Sequence, residues 1–263
     1  MAGGTVIHPS AVVEPGAELG AGVRIGPFAV IGPEVRLGDE VEVKSHAVVT
    51  GWTDIGPGTV IFPSACAGEV PQDLKYRGER TRLIVGARCR IREGATLNTG
   101  TEGGGGVTRV GDDCLLMTGA HVGHDAQVGD RVILANQVAL GGHAILADDV
   151  IVGGLSGVHQ FVRIGRGAMI GALTMVAHDV LPFGLVQGPR GALEGLNLIG
   201  LKRRGVARDE IAALRAAYAG LASGEGALAE RARALAEGSE SPLVREMLDF
   251  LLAGSDRQFL RPR

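Results

Sequence analysis

The chain has 263 residues, of which 45% are hydrophobic, only 3% are aromatic and 43 are glycine. That length permits one large domain or two smaller ones, and so few rings point to a repetitive core filled by small aliphatics. The formal charge of −3 gives no electrostatic case for binding nucleic acid.

From the N-terminus onward, aliphatic residues recur at every sixth position: Ile7, Val13, Leu19, Ile25, Ile31, Leu37, Val43, Val49, Ile55 and Ile61. A repeat of six fits neither the helical nor the strand template. It suits a flat-sided solenoid in which each hexapeptide is one short strand and one corner. One aliphatic per strand then fills the narrow interior, and the glycine that often follows it relieves the corner backbone. Three hexapeptides make one coil, so residues 18 apart stack at about 4.8 Å, the spacing of neighbouring strands. The repeat resembles the left-handed parallel β-helix of the hexapeptide-repeat acyltransferases. The left hand is implied by that resemblance alone, since the usual rule for parallel crossovers favours the right.

Two segments interrupt the beat. GEVPQDLKYRGERTR covers about residues 68–82, and the beat then resumes at Val85, Ile91 and Leu97. NTGTEGGGGVTR covers residues 98–109, and the beat resumes at Val110 and runs to Val176. Insertions in a solenoid become loops thrown from one face, often the binding face. The first gathers Asp73, Lys75, Tyr76 and Arg77, whereas the second reads equally well as a tolerated surface loop. Beyond about residue 188 helical apolar spacing takes over, and Ser241-Pro242 marks a helix start. The expected organisation is a hexapeptide β-helix over residues 1–190 and a helical domain over residues 191–263. The run Lys202 to Arg204 is the clearest positive cluster, a pattern that is usually a solvated face.

Four of the seven histidines fall between His121 and His159. Counting the aliphatic as position one, His121, His124, His143 and His159 take positions six, three, four and two, so none takes the inward slot. The coil register aligns His124 with Gly142 and Gln160, Asp125 with His143, and Gly123 with Gly141 and His159. One patch should therefore hold an imidazole, a neighbouring carboxylate and bare glycine backbone. An imidazole suits general-base work, a carboxylate orients it, and a glycine N–H is open to a developing oxyanion. The patch lies on an outer face, so a closed pocket calls for a neighbouring chain and a cyclic oligomer, a homotrimer if the solenoid is three-sided.

Cys66, Cys89 and Cys114 are an odd, scattered set with no CxxC pair. They read as buried reduced thiols of a cytoplasmic protein rather than as disulfides or zinc ligands. With no signal-peptide pattern and no spanning apolar run, the expectation is a soluble protein that does not cross the membrane.

Together, GAHVGHDAQVG, GEVPQDLKYRGERTR, GGHAI, GVHQFVRIG and NLIGLKRRG resemble the acyl-[acyl-carrier-protein]–UDP-N-acetylglucosamine O-acyltransferase family over nearly the whole chain. The resemblance implies transfer of a 3-hydroxyacyl chain from acyl carrier protein to the sugar 3-hydroxyl, opening lipid A biosynthesis, with no metal or cofactor. It implies His124 as base, Asp125 as its support and the Gly142 N–H as oxyanion donor. Asp73, Lys75, His121, His143, His159, Gln160, Asn197, Arg203 and Arg204 match substrate-binding positions, the arginines toward phosphate or the acidic carrier. Ala172 and Met169 match an acyl-length ruler, and Ala172, standing where long-chain members have glycine, implies a shorter chain.

Two departures bear on the acceptor. Ile199 stands where the family's tail often has a carboxylate, so part of the nucleoside contact does not carry over, and Asn98-Thr99 stands where it often has His-Arg beside the reacting sugar position, which leaves a 3-amino sugar open as acceptor. Rival readings are a later N-acyltransferase of the pathway, a γ-carbonic-anhydrase-type zinc enzyme with three histidine ligands, and a non-catalytic scaffold. The first rival carries an N-terminal uracil-binding domain, for which a beat starting at Ile7 leaves no room.

Overall fold

A computed structural model describes residues 4–223, 225–255 and 257–262. Residues 1–3 and 263, the outer ends of the two expected regions, lie outside the described residues. Two-residue strands follow one another around three faces. Face one begins at Val6–Ile7, face two at Val12–Val13 and face three at Glu18–Leu19. The faces are sheets of 11, 9 and 8 strands. Each strand pairs in parallel with the strand one coil on: Ile7 with Ile25, Val13 with Ile31, Leu19 with Leu37. The 18-residue register widens only at the insertions, to 30 residues between Ile55 and Val85 and to 25 between Val85 and Val110.

The beat residues point inward as expected. Ile31, Ile61, Leu97, Leu116 and Leu134 are fully buried, and each such side chain contributes roughly 1.5–3 kcal/mol. The interior is not filled by one residue per strand, however. Position five also points in and holds nothing larger than valine in the regular coils: Ala29, Val35, Ala47, Cys89, Cys114, Val132 and Ala144. A triangular coil closes only if a small side chain fits beside each large one. Cys89 and Cys114 are thus buried free thiols, while Cys66 is half-buried.

The role expected of the glycines is also corrected. The left-handed corner residue is at position four and is usually not glycine: φ is 58° at Phe28, 60° at Asp125, 61° at His143 and 64° at Phe161. Glycine at position two is required by close approach instead. A Cβ at Gly38 would lie 2.8 Å from Pro57 N, and one at Gly153 would lie 2.5 Å from Ala172 N. The coils pack too tightly there for any side chain.

The solenoid's hydrogen bonding runs past residue 190, because Ala192–Leu196 pairs antiparallel with Gly184–Gln187. Four helices follow: α1 (Leu198–Arg203), α2 (Arg208–Ser223), α3 (Leu228–Glu237) and α4 (Pro242–Leu252). Ser241 caps α4 by accepting from Val244 N, with Pro242 at the first turn. Helix α2 buries Ile211, Leu214, Tyr218 and Leu221 along one stripe, and the Tyr218 hydroxyl docks it by donating to Leu193 O at 3.1 Å. Among the described residues no helix is long and apolar enough to cross a membrane.

Candidate active site

The corner between faces two and three, after strand His121–Val122, gathers the histidines. Asp125 and His143 sit at the left-handed position of successive coils, which stacks them, and Phe161 follows one coil on. The His143 and Phe161 rings lie 4.3 Å apart and nearly parallel, while His124 meets His143 edge-on at 5.1 Å.

Asp125 is the best-held group at this corner. Its side chain is fully buried. Oδ1 accepts from Thr101 N at 2.8 Å, and Oδ2 accepts from Thr101 Oγ1 at 2.6 Å. Its own N–H donates to Thr108 Oγ1 at 2.7 Å. His124 Nδ1 donates to Oδ2 at 2.8 Å, and His143 Nε2 stands 3.7 Å from the same oxygen. A carboxylate with this many donors is fixed in place. With Nδ1–H committed to Asp125, His124 presents a bare Nε2.

That Nε2 faces Gly142. A Cβ at Gly142 would fall 2.5 Å from both Cε1 and Nε2 of His124, so the ring occupies the space glycine leaves open. The Gly142 N–H has no acceptor among the described residues, whereas the neighbouring His143 N–H donates to His124 O. A base nitrogen and an unclaimed backbone donor therefore stand side by side.

The second insertion folds back on its own chain to bury Asp125, through the turn Glu102–Gly104. The expectation that a single chain offers the patch no wall is corrected to that extent. Asp73, Lys75, Tyr76 and Glu79 of the first insertion join Thr101, Glu102, His143 and Phe161 around a cavity of about 450 Å³. Burial first, and the nearby His124, hold the His121 imidazole below its ordinary pKa; its Nδ1 pairs with Thr96 Oγ1 at 2.8 Å. Burial likewise lowers His143. His159 and Gln160 are exposed at the rim, where Arg257 donates to His159 Nδ1 at 2.9 Å. Donor atoms of His124, Asp125 and His143 lie within 4.8 Å of one another, the one such grouping found among the described residues. Asp125 Oδ2, however, already accepts from Thr101 and His124.

Residues 179–260 match the family model for UDP N-acetylglucosamine O-acyltransferase, domain 2. Residues 2–33, 17–51 and 108–142 match the bacterial transferase hexapeptide model. The chain is 49% identical over 257 residues to an acyl-[acyl-carrier-protein]–UDP-N-acetylglucosamine O-acyltransferase of Rhizobium johnstonii, covering 97% of this chain and 94% of that one. The chain belongs to that O-acyltransferase family. A Paracoccus denitrificans member is 67% identical over 203 residues, 77% of each chain. Among solved structures, LpxA from Acinetobacter baumannii superposes with a TM-score of 0.94 at 37% identity, covering 97% of this chain and all of that one. The solenoid is accordingly the left-handed parallel β-helix, since a coil of the opposite hand would not superpose.

Not every position matched to the O-acyltransferases gathers at this corner. Asn197 caps α1 by accepting from Gly200 N at 2.9 Å, and its amide donates to Gly167 O at 3.0 Å. Arg204 lies against Gly167 too, since a Cβ there would come 2.5 Å from Nη2. Gly167 belongs to the corner between faces three and one, where Arg88–Asp113 and Arg131–Asp149 alternate in sign along the coils. Arg203 and Ile199 are exposed nearby. Met169 lies on face one, and Ala172 is exposed at the corner between faces one and two. Sequence reading missed Thr101, Thr108 and Arg257, whose contacts come from loop and tail folding. It also missed Met175, which shares the outward column of His121 and was recoverable from the 18-residue register.

Proposed function

We propose that this chain is an O-acyltransferase that moves a 3-hydroxyacyl group from acyl carrier protein to the 3-hydroxyl of UDP-N-acetylglucosamine, the first step of lipid A biosynthesis. The observation that carries the mechanism is the buried His124–Asp125 pair at 2.8 Å, with Nε2 beside the Gly142 N–H. His124 Nε2 takes the sugar hydroxyl proton as that oxygen attacks the thioester carbonyl. Asp125 stabilises the imidazolium, as a fixed carboxylate does for any histidine base. The Gly142 N–H meets the oxyanion. Collapse breaks the C–S bond, and His124 returns its proton to the departing thiolate. A thioester is already activated, so these steps call on no metal or cofactor.

In this reading Asp73, Lys75, His121, His143, His159 and Gln160 hold substrate around the base. Asn197, Arg203 and Arg204 stand at a different corner, which supports a homotrimer in which one subunit's tail faces the next subunit's histidines. Light scattering at working concentration should then give three chains; a monomer contradicts it. The cytoplasm, where reduced thiols persist, is the proposed compartment. The direct test incubates wild-type protein with 3-hydroxyacyl carrier protein and either UDP-N-acetylglucosamine or its 3-amino analogue, reading product mass. An ester of the natural sugar is expected. An amide alone would move the acceptor to the amino sugar, and no product with either would overturn acyl transfer.

A further inference from the structure

We infer that Arg257, near the end of the chain, is a positioning residue of the acyl-transfer site. It decides which nitrogen of His159 carries the proton and so makes that ring a hydrogen-bond donor toward substrate. The inference rests on the acyl-transfer reading above and adds a residue to that same site. The contact spans 98 residues of sequence, and the fold fixes both of its ends. His159 stands on the solenoid, directly after the strand Gly157–Val158. Arg257 is half-buried in the tail that follows α4. Gln258 O accepts from Asp179 N and Leu260 N donates to Asp179 O, both at 2.9 Å, so the tail bridges the solenoid's last coil in parallel. Asp179 is itself fully buried and accepts from Arg163 Nε at 2.7 Å. The Arg163 guanidinium lies over the rings of Phe250 and Phe259, which packs the tail against α4.

Two neighbours compete for His159 Nδ1. Arg257 Nη2 lies 2.9 Å away and Gln160 O lies 3.2 Å away. A carbonyl needs that nitrogen protonated. A guanidinium, which keeps all its protons in a protein, needs it bare. One ring cannot serve both. The shorter, charge-assisted contact is the stronger, so Nδ1 is bare and the ring proton sits on Nε2. Among the described residues nothing bonds Nε2. His159 lines a groove of about 560 Å³ together with His124, Gly142 and Gln160. Nε2 is the nitrogen left for that groove, and its N–H meets an oxygen of bound substrate. Without Arg257, Gln160 O would draw the proton to Nδ1 and leave a bare nitrogen facing that oxygen.

The test measures kcat, and KM for each substrate, in wild type, Arg257→Met, Arg257→Lys, His159→Gln and the Arg257→Met, His159→Gln double variant. Each is checked by thermal melting, and nitrogen NMR of the labelled full chain reads the His159 tautomer. Wild type should carry its proton on Nε2. Arg257→Met should raise one KM by about fivefold, the worth of one hydrogen bond, with kcat within about twofold. A rise for the sugar nucleotide places the oxygen there; a rise for the acyl carrier protein places it on the donor. Arg257→Lys should recover most of the loss, although methionine fills similar space, because lysine also arrives protonated. In His159→Gln the side-chain amide carries its own N–H, so adding Arg257→Met should cost nothing further. A proton on Nδ1 in wild type overturns the inference whatever the variants do. Unchanged KM for both substrates in Arg257→Met, or fully additive losses in the double variant, also overturns it and leaves the function standing. Absence of transfer in wild type overturns the functional reading itself.

Discussion

Two corners of the solenoid carry the same pair of rings. In the uninterrupted N-terminal coils, His46 and Phe28 sit at left-handed positions one coil apart, with ring centroids 5.1 Å apart. In the central coils His143 and Phe161 do the same at 4.3 Å. The backbone is equivalent, yet only the second pair adjoins a reactive constellation. His46 is exposed and makes no ion pair among the described residues. His143 stands beside a buried carboxylate that Thr101 pins from above. The hexapeptide can present a histidine at any corner. The insertions supply what makes one corner chemical, by removing water from Asp125 and fixing the neighbouring imidazole.

This contrast can be broken by substitution. Asp125→Ala should have the largest effect, lowering the turnover number by about 10²–10⁴-fold. It should also lower the melting temperature, because Thr101 N–H loses its buried acceptor at about 1–3 kcal/mol. Gly142→Ala should cost about 10²-fold in rate by displacing His124, with little change in melting, since the new Cβ meets a side chain rather than backbone. Gly38→Ala, in the N-terminal coils, should do the opposite. Its Cβ would strike Pro57 backbone and destabilise by about 1–3 kcal/mol while transfer persists. Steady-state kinetics beside calorimetry on both glycine variants separates the two outcomes.

Two smaller effects sharpen the comparison. His121 and His143 have pKa values lowered by burial from the ordinary 6.5. The unfolded chain therefore takes up protons first as pH falls through 6.5. Their contribution to stability is complete above that pH and is lost progressively toward the lower folded values. Melting temperatures from pH 7.5 to 5.5 should thus fall more steeply in wild type than in His143→Gln; equal slopes would contradict the burial argument. His46→Ala should leave transfer unchanged and shift stability by less than about 0.5 kcal/mol. A measurable loss of activity in that variant would erase the distinction between the two corners.

Much of the architecture was legible because a parallel solenoid has a fixed register. Once the six-residue beat was found, the 18-residue stack placed Asp125 on His143 and His124 beside Gly142, as the structure has them. What was hidden depends on close contacts rather than period. The beat assigned the interior to one aliphatic per strand, and only the narrow triangular section shows that position five points in as well and takes nothing larger than valine in the regular coils, as at Ala29, Cys89 and Val132. The glycines suggested backbone freedom, but the left-handed residues are Asp125, His143 and their kin, while Gly38 and Gly153 are needed for clearance. Burial of Asp125 could not be read at all, because it depends on how residues 98–109 fold back, and no periodicity governs that loop. The same holds for Asn197, whose amide is committed to Gly167 and to capping α1.

The most direct test is the single-turnover rate of acyl transfer in His124→Ala against wild type, at saturating sugar nucleotide and carrier, with folding verified by circular dichroism. The account predicts a loss of about 10²–10⁴-fold in a fully folded protein. A folded variant that transfers acyl groups within about threefold of wild type, far short of the loss expected on removing a general base, would show that the base lies elsewhere.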